Sequence, residues 1–194
     1  MTKAQNNGRL FVVSAPSGAG KTSLTHAVID RLASQGQSLR FSVSYTTRKP
    51  RGNEQDGVDY HFVSRDVFEE MIARSEFLEH ARVFDRYYGT GRAQTEKLLQ
   101  AGHNVVLDID WQGAQQVRAA TGGVTSIFIM PPSRAELERR LRDRAADDEA
   151  AITLRMAQAD EEMAHADEYD HIVTNDCFKT ATEELLTLFA LASR

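Results

Sequence analysis

The sequence predicts an α/β fold, a mostly parallel, doubly wound sheet with helices on both faces. Three observations in its 194 residues point there. Short apolar runs alternate along the chain with stretches whose apolar residues recur at helical spacing. Several runs are apolar almost throughout, the pattern of a parallel strand covered on both faces rather than of one with a wet side. Polar or glycine-rich residues then close them, at the carboxyl ends of the strands where such sheets bind ligands.

Taken in order, "RLFVVS" (9–14) is the first such run, and "KTSLTHAVIDRLAS" (21–34) carries helical spacing after a glycine-rich turn. "FSVSY" (41–45) predicts a second strand. "NVVLDID" (104–110) stays apolar until its acidic end, and "VTSIFIM" (124–130) repeats the pattern before Pro131 and Pro132. Ser133 offers an N-cap with Glu136 three residues on, a capping box opening the helix "RAELERRLRDR" (134–144). Helical spacing returns over about 150–166; "DHIVTN" (170–175) predicts a late strand and "TATEELLTLFALAS" (180–193) a closing helix. The segment 45–91 breaks the rhythm. Its turn formers in "TTRKPRGNEQDGVDYHFV", a short helical piece in "RDVFEEMIARSEF" and the cluster "YYGTG" predict an insertion with a small sheet of its own.

Composition narrows the function. The length fits one domain. The apolar runs are far shorter than the roughly 18 to 20 residues that span a bilayer, and "MTKAQNNGRL" lacks the apolar centre of a signal peptide. A cytosolic protein with no membrane partner is the expectation. A single cysteine, Cys177, excludes an internal disulfide and a cysteine-cluster metal site; a small buried hydrophobe is the role expected of it. A net charge of -5 argues against a nucleic-acid partner held by a basic surface. Within this acidic chain, the arginines of "TTRKPR" and "RRLRDR" read as local anion sites, or, for the second, as a solvated helix face.

The chemistry begins at "SAPSGAGKT" (14–22), which fits the phosphate-loop pattern G-x-x-x-x-G-K-[ST] except that Ala15 replaces its first glycine. A Gly-Lys-Thr triplet alone is a weak signal, but here a strand precedes it, a helix follows it and Gly18 stands two residues before Gly20. The glycines let successive backbone N–H groups converge on phosphate oxygens at the positive end of the helix. Lys21 would neutralise the β- and γ-phosphates, and the Thr22 hydroxyl would ligand Mg²⁺. Ala15 requires only that its position need no positive φ.

From about 9 to 176 the chain resembles the guanylate kinases, nucleoside monophosphate kinases of the P-loop group. The resemblance rests on "SAPSGAGKT", "SVSYTTRKPRGNEQDGVDYHF", "EFLEHARVFDRYYGT", "LDIDWQG", "RLRDR" and "IVTND", in that order. It implies a three-layer P-loop NTPase-type fold in a single domain: a core of 9–43, 92–136 and 158–194, a GMP-binding insertion at 44–91, a helical lid at 137–157 and a flexible tail at 1–8. It also implies the reaction of ATP with GMP, and with dGMP, to give ADP and GDP in purine nucleotide metabolism. ATP and GMP are then the partners and Mg²⁺ the cofactor, with a homo-oligomer left open.

The resemblance also assigns residues. ATP is held by the stretch Ser14, Ala15, Pro16, Ser17, Gly18, Ala19, Gly20, Lys21, Thr22 and Ser23, with Asn175 and Asp176 on the adenine side. Glu79 of "EFLEH" accepts from guanine N1 and N2, while the hydroxyls of Ser44 and Thr90 donate to O6. Arg48, Arg51, Tyr60 and Tyr88 clamp the GMP phosphate, a task suited to guanidinium forks. Lys21, Arg51 and the lid arginines Arg144 and Arg155 compensate charge on the transferring phosphoryl group. Asp110 lies near the guanosine, and Asp108 joins Thr22 at the metal. Arg139, Arg140 and Arg142 divide between an adenine contact and helix pairs with Glu136, Glu138 or Asp143. The departures Ala15, Thr22, Tyr45 and Thr90 keep the needed atoms or lie off the chemistry. Two other readings stand beside this one, a scaffold domain of the same fold and a kinase for another small phosphate.

Overall fold

The computed structural model describes residues 7–83, 85–143 and 148–191. In chain order the elements are β1 (Leu10–Ser14), α1 (Lys21–Ser34), β2 (Leu39–Phe41), β3 (Tyr45–Thr46), β4 (His61–Phe62) and α2 (Arg65–Ala73). Next come β5 (Phe77–Val83), β6 (Arg86–Gly91), α3 (Arg92–Gln100), β7 (Asn104–Asp108), α4 (Trp111–Ala120) and β8 (Thr125–Met130). The chain closes with α5 (Arg134–Asp143), α6 (Glu149–Ala164), β9 (His171–Thr174) and α7 (Phe178–Leu191). A five-stranded sheet runs β2-β7-β1-β8-β9, and a four-stranded sheet runs β4-β3-β6-β5.

β1 pairs in parallel with β8, and β8 with β9. All five residues of β1 are buried, as are Ser126 to Ile129 of β8. Strands covered on both faces need apolar side chains in both directions, which is why these runs do not alternate. The structure confirms the α/β reading, and the predicted helix 21–34 is α1 itself.

By contact density the chain divides into two compact units. One comprises 11–39, 108–111 and 125–194. Its core holds Phe11, Val13, Leu24, Val28, Phe128 and Phe189, with the Phe11 and Phe189 rings 4.6 Å apart. A second cluster joins α5 to α6 through Leu137, Leu141, Ile152, Met156 and Ala159. Ser133 accepts at Oγ from the N–H of Glu136, the expected N-cap, while the Glu136 carboxylate turns to Arg139 and Arg140. The other unit comprises 1–10, 40–107 and 112–124. Phe68 stacks between Phe77 and Tyr87, at 4.4 and 5.3 Å. A Cβ at Gly89 would lie 2.9 Å from the Phe77 ring, so the glycine of "YYGTG" makes room for that stack.

Two expectations are corrected. "FSVSY" is not one strand: β2 ends at Phe41 and the chain enters the second sheet at Tyr45. Between them Ser42 is tied by its Oγ to Thr95 Oγ1 at 2.8 Å, both buried, and its N–H bonds Val106 O. Cys177 is exposed rather than buried. It stands just before α7, where the backbone N–H of Thr180, first among several donors, holds its thiol below the ordinary value.

Candidate active site

The glycine loop leaves β1 at Ser14 and enters α1 at Lys21. Gly18 and Gly20 both have φ of +96°, a left-handed conformation that side chains disfavour. Ala15 does not: among the described residues, Ser75 alone has positive φ without being glycine. That is the physical reason an alanine can replace the first glycine of the pattern. The loop is also packed closely. A Cβ on Gly18 would lie 3.0 Å from both Leu137 and Leu141 of α5, and one on Gly20 would lie 2.5 Å from Asn175 Nδ2.

Side chains around this loop converge from four elements. Lys21 Nζ forms an ion pair with Asp108 Oδ1 and donates to Ile109 O at 3.3 Å. Thr22 Oγ1 donates to Asp108 Oδ2 at 3.4 Å. Arg155 of α6 donates from Nη2 to Ser17 Oγ at 2.5 Å. Asn175, after β9, donates from Nδ2 to Ala19 O at 2.7 Å, so its buried amide holds the loop backbone. Arg140 bonds Asn175 O at 3.1 Å and pairs with Glu136. Arg139 pairs with Glu136 and Asp143, and Arg142 with Glu138 and Glu149. Asp176 is exposed and accepts at Oδ1 from the Cys177 N–H at 2.5 Å. Arg144 lies outside the described residues, as do residues 1–6 of the predicted tail.

Asp110 follows β7 in the same unit. With Lys21 it acts electrostatically on Glu162 of α6, a residue the sequence reading missed. Burial pushes the Glu162 carboxyl up to about 7, against the pull of Lys21. Its sequence context, "ADEEMA", reads as an ordinary acidic helix and gives no signal of this.

The second set lies on and beside the four-stranded sheet. Glu79 of β5 is 4% exposed, and Thr90 of β6, its register partner, donates from Oγ1 to Glu79 Oε1 at 2.6 Å. The Thr90 proton is thus directed to the carboxylate in this structure. Ser44 is half-buried just before β3, with its carbonyl accepting from His61 N at 2.9 Å. Arg48 forms a two-point fork with Glu54, 2.7 and 2.8 Å, and its guanidinium sits 5.2 Å from the Tyr60 ring centre. That fork holds the Arg48 pKa above even its ordinary value and the Glu54 carboxyl below its own. Tyr60 and Tyr88 meet edge to face at 6.1 Å. Arg51 donates its backbone N–H to Glu54 Oε2 at 2.7 Å and exposes its side chain. Glu54 therefore holds the Arg48 guanidinium and the Arg51 main chain; it was not singled out in the sequence, where its only mark is its place three residues after Arg51.

The Thr22 and Asp108 oxygens suit a hard divalent cation, which takes few protein oxygens and completes its shell with water and phosphate. Among the described residues there is no group of three or more His, Cys, Asp or Glu able to hold a metal by itself. No described helix is long and apolar enough to cross a membrane.

The family model described as guanylate kinase matches residues 7–191. The chain belongs to the guanylate kinase family. It is 53% identical to the guanylate kinase of Chromohalobacter salexigens over 94% of this chain and 83% of that protein. It is 52% identical to that of Escherichia coli K12, over 93% of this chain and 86% of the relative. A crystal structure of guanylate kinase from Anaplasma phagocytophilum matches with a TM-score of 0.77 and 31% identity, covering 97% of this chain and 87% of that one. The family membership makes the chain an enzyme, a nucleoside monophosphate kinase, and the fold that of the P-loop NTPases.

Proposed function

We propose that the enzyme transfers the γ-phosphate of ATP to GMP, and to dGMP, which presents the same base and phosphate, giving ADP with GDP or dGDP in the purine nucleotide metabolism of the cytoplasm. The observation that supports the acceptor is the buried Glu79 carboxylate, fixed by Thr90. Burying a carboxylate is costly. An acceptor pair facing two N–H groups at guanine N1 and N2 offsets that cost, whereas adenine would turn a lone pair toward it.

The roles follow from the chemistry of each group. The loop from Ser14 to Ser23 cradles the triphosphate through its backbone N–H groups, which Pro16 alone lacks, and Lys21 compensates the charge of its outer phosphates. Asn175 holds the loop from behind through Ala19, with Asp176 toward the adenine side. Arg48 and Arg51, set by Glu54, take the GMP phosphate with the Tyr60 and Tyr88 hydroxyls. Ser44 donates to guanine O6, and Asp110 faces the nucleoside. Arg155, with Arg144, closes on the transferring group and excludes water. Thr22 and Asp108 would hold Mg²⁺, which when bound neutralises the developing charge on the phosphoryl oxygens.

The test is ADP release with ATP and Mg²⁺ against GMP, dGMP, AMP, CMP, UMP and ribose 5-phosphate. GMP and dGMP are expected to turn over and the others to lag by orders of magnitude. Absence of GMP turnover by folded protein overturns the reading.

A further inference from the structure

Glu79 sits on the outermost strand of its sheet, since β5 has a single strand neighbour, β6. Edge strands are the least constrained part of a sheet, because one row of their backbone groups has no ladder. A carboxylate that must match two donors on a base therefore stands on the strand most free to shift. The pairing adds to this difficulty, for the β5 to β6 register shifts between Phe77 and Glu79.

The structure answers at the next residue. Gln116 of α4 accepts at Oε1 from His80 N–H at 3.1 Å and donates from Nε2 to His80 O at 2.8 Å. One side-chain amide thus satisfies both outward backbone groups of one residue, as a neighbouring strand would. Arg92 adds a bond from Nη2 to Phe77 O at 3.0 Å, so the strand is held on both sides of Glu79. A cavity of about 250 Å³ is lined by Phe77, Glu79, His80, Arg92 and Gln116, so Glu79 and the residues that hold its strand border one cavity. Gln116 itself is exposed and contributes nothing to the core. Two solvent-facing hydrogen bonds add little to stability, but a two-point clamp fixes direction.

We propose that Gln116 is a positioning residue for the base: by clamping His80 it fixes where the adjoining Glu79 carboxylate stands, and so sets the discrimination between GMP and a purine nucleotide without the N2 amine. This rests on the acceptor reading given above. IMP is the probe, because it keeps the N1–H and O6 of guanine and lacks only that amine. A well-placed Glu79 gains from both donors of GMP and from one of IMP.

The experiment compares kcat/KM for GMP and IMP in wild type, Gln116→Met and Gln116→Glu. Methionine keeps the length of the side chain and removes both bonds; glutamate keeps an acceptor for His80 N–H alone. For Gln116→Met, KM for GMP is expected to rise about tenfold, the loss of roughly one or two directed bonds, with kcat and the KM for ATP within about twofold. The GMP-to-IMP ratio is expected to fall about fivefold, with Gln116→Glu between the two. Equal losses for both nucleotides, or an unchanged ratio in either variant, overturn the inference. If methionine prevents folding, the ratio in Gln116→Glu decides by the same criterion. Failure of the wild type to use GMP would strike the acceptor reading instead, so the two failures are distinct.

Discussion

At the glycine loop the groups that would meet a ligand are mostly main chain, and packing sets them: two residues at φ of +96°, leucines of α5 within 3.0 Å of where a Cβ would stand, and an asparagine amide bonded to Ala19 O. On the four-stranded sheet the corresponding groups are side chains, and other side chains set them: Thr90 for Glu79, Glu54 for Arg48. A main-chain site needs a short contiguous stretch whose residues are chosen for what they lack. A side-chain site needs residues chosen for what they carry, from places the sheet brings together.

The contrast breaks most severely at Lys21, the side chain that brings a positive charge to the start of α1. Lys21→Ala should cut turnover on the order of a thousandfold or more, because phosphoryl transfer relies on charge compensation in place. The protein should remain folded, with some fall in melting temperature, since the Lys21–Asp108 pair and the bond to Ile109 O are both lost. Coupled ADP release and a thermal melt measure both, and near-normal turnover would refute the assignment.

Glu79→Gln probes the other region. The amide keeps the shape but presents N–H groups to the N1–H and N2–H of guanine, and unpaired buried groups cost about 1 to 3 kcal/mol each. A loss of about a hundredfold in kcat/KM for GMP is expected, with the KM for ATP within about twofold. A parallel loss of ATP affinity in an ATP titration would mean that the substitution acts through the fold.

The same contrast explains what the sequence could reveal. The loop, the flanking strand and α1 were legible from local rules, since conformation there follows from neighbours in the chain. The families of buried strands were legible for the same reason. α3 and α4 went unread: "RAQTEKLLQ" buries only Thr95, and "WQGAQQVRAA" buries Gly113, Ala114 and Val117, so neither shows a wide apolar stripe. Where the chain departs from one sheet to the other after Phe41, it makes a buried Ser42–Thr95 contact across 53 positions, which no local rule reveals. Glu79 entered through the family resemblance, whereas Glu54 and Gln116 act on groups 6 and 36 positions away and gave no local mark.

Glu162 yields the smallest effect and tests whether the loop region is as independent of side chains as its glycines imply. Its carboxyl, near 4.5 in an ordinary setting, is raised to about 7 by burial beside Asp110, with Lys21 opposing. Below pH 4.5 it is protonated whether the chain is folded or not, and its contribution is fully present. Between about 4.5 and 7 the unfolded chain gives up the proton first, so stability falls as pH rises; above 7 the loss is complete. Glu162→Gln cannot ionise and lacks this component. Its melting temperature should therefore decline less than that of wild type between pH 5 and pH 8, by a gap of about 3 °C or more. Melting curves that run parallel across that range would show Glu162 charged throughout. A widened gap would show that burial near Lys21 and Asp110 keeps Glu162 partly protonated at neutral pH.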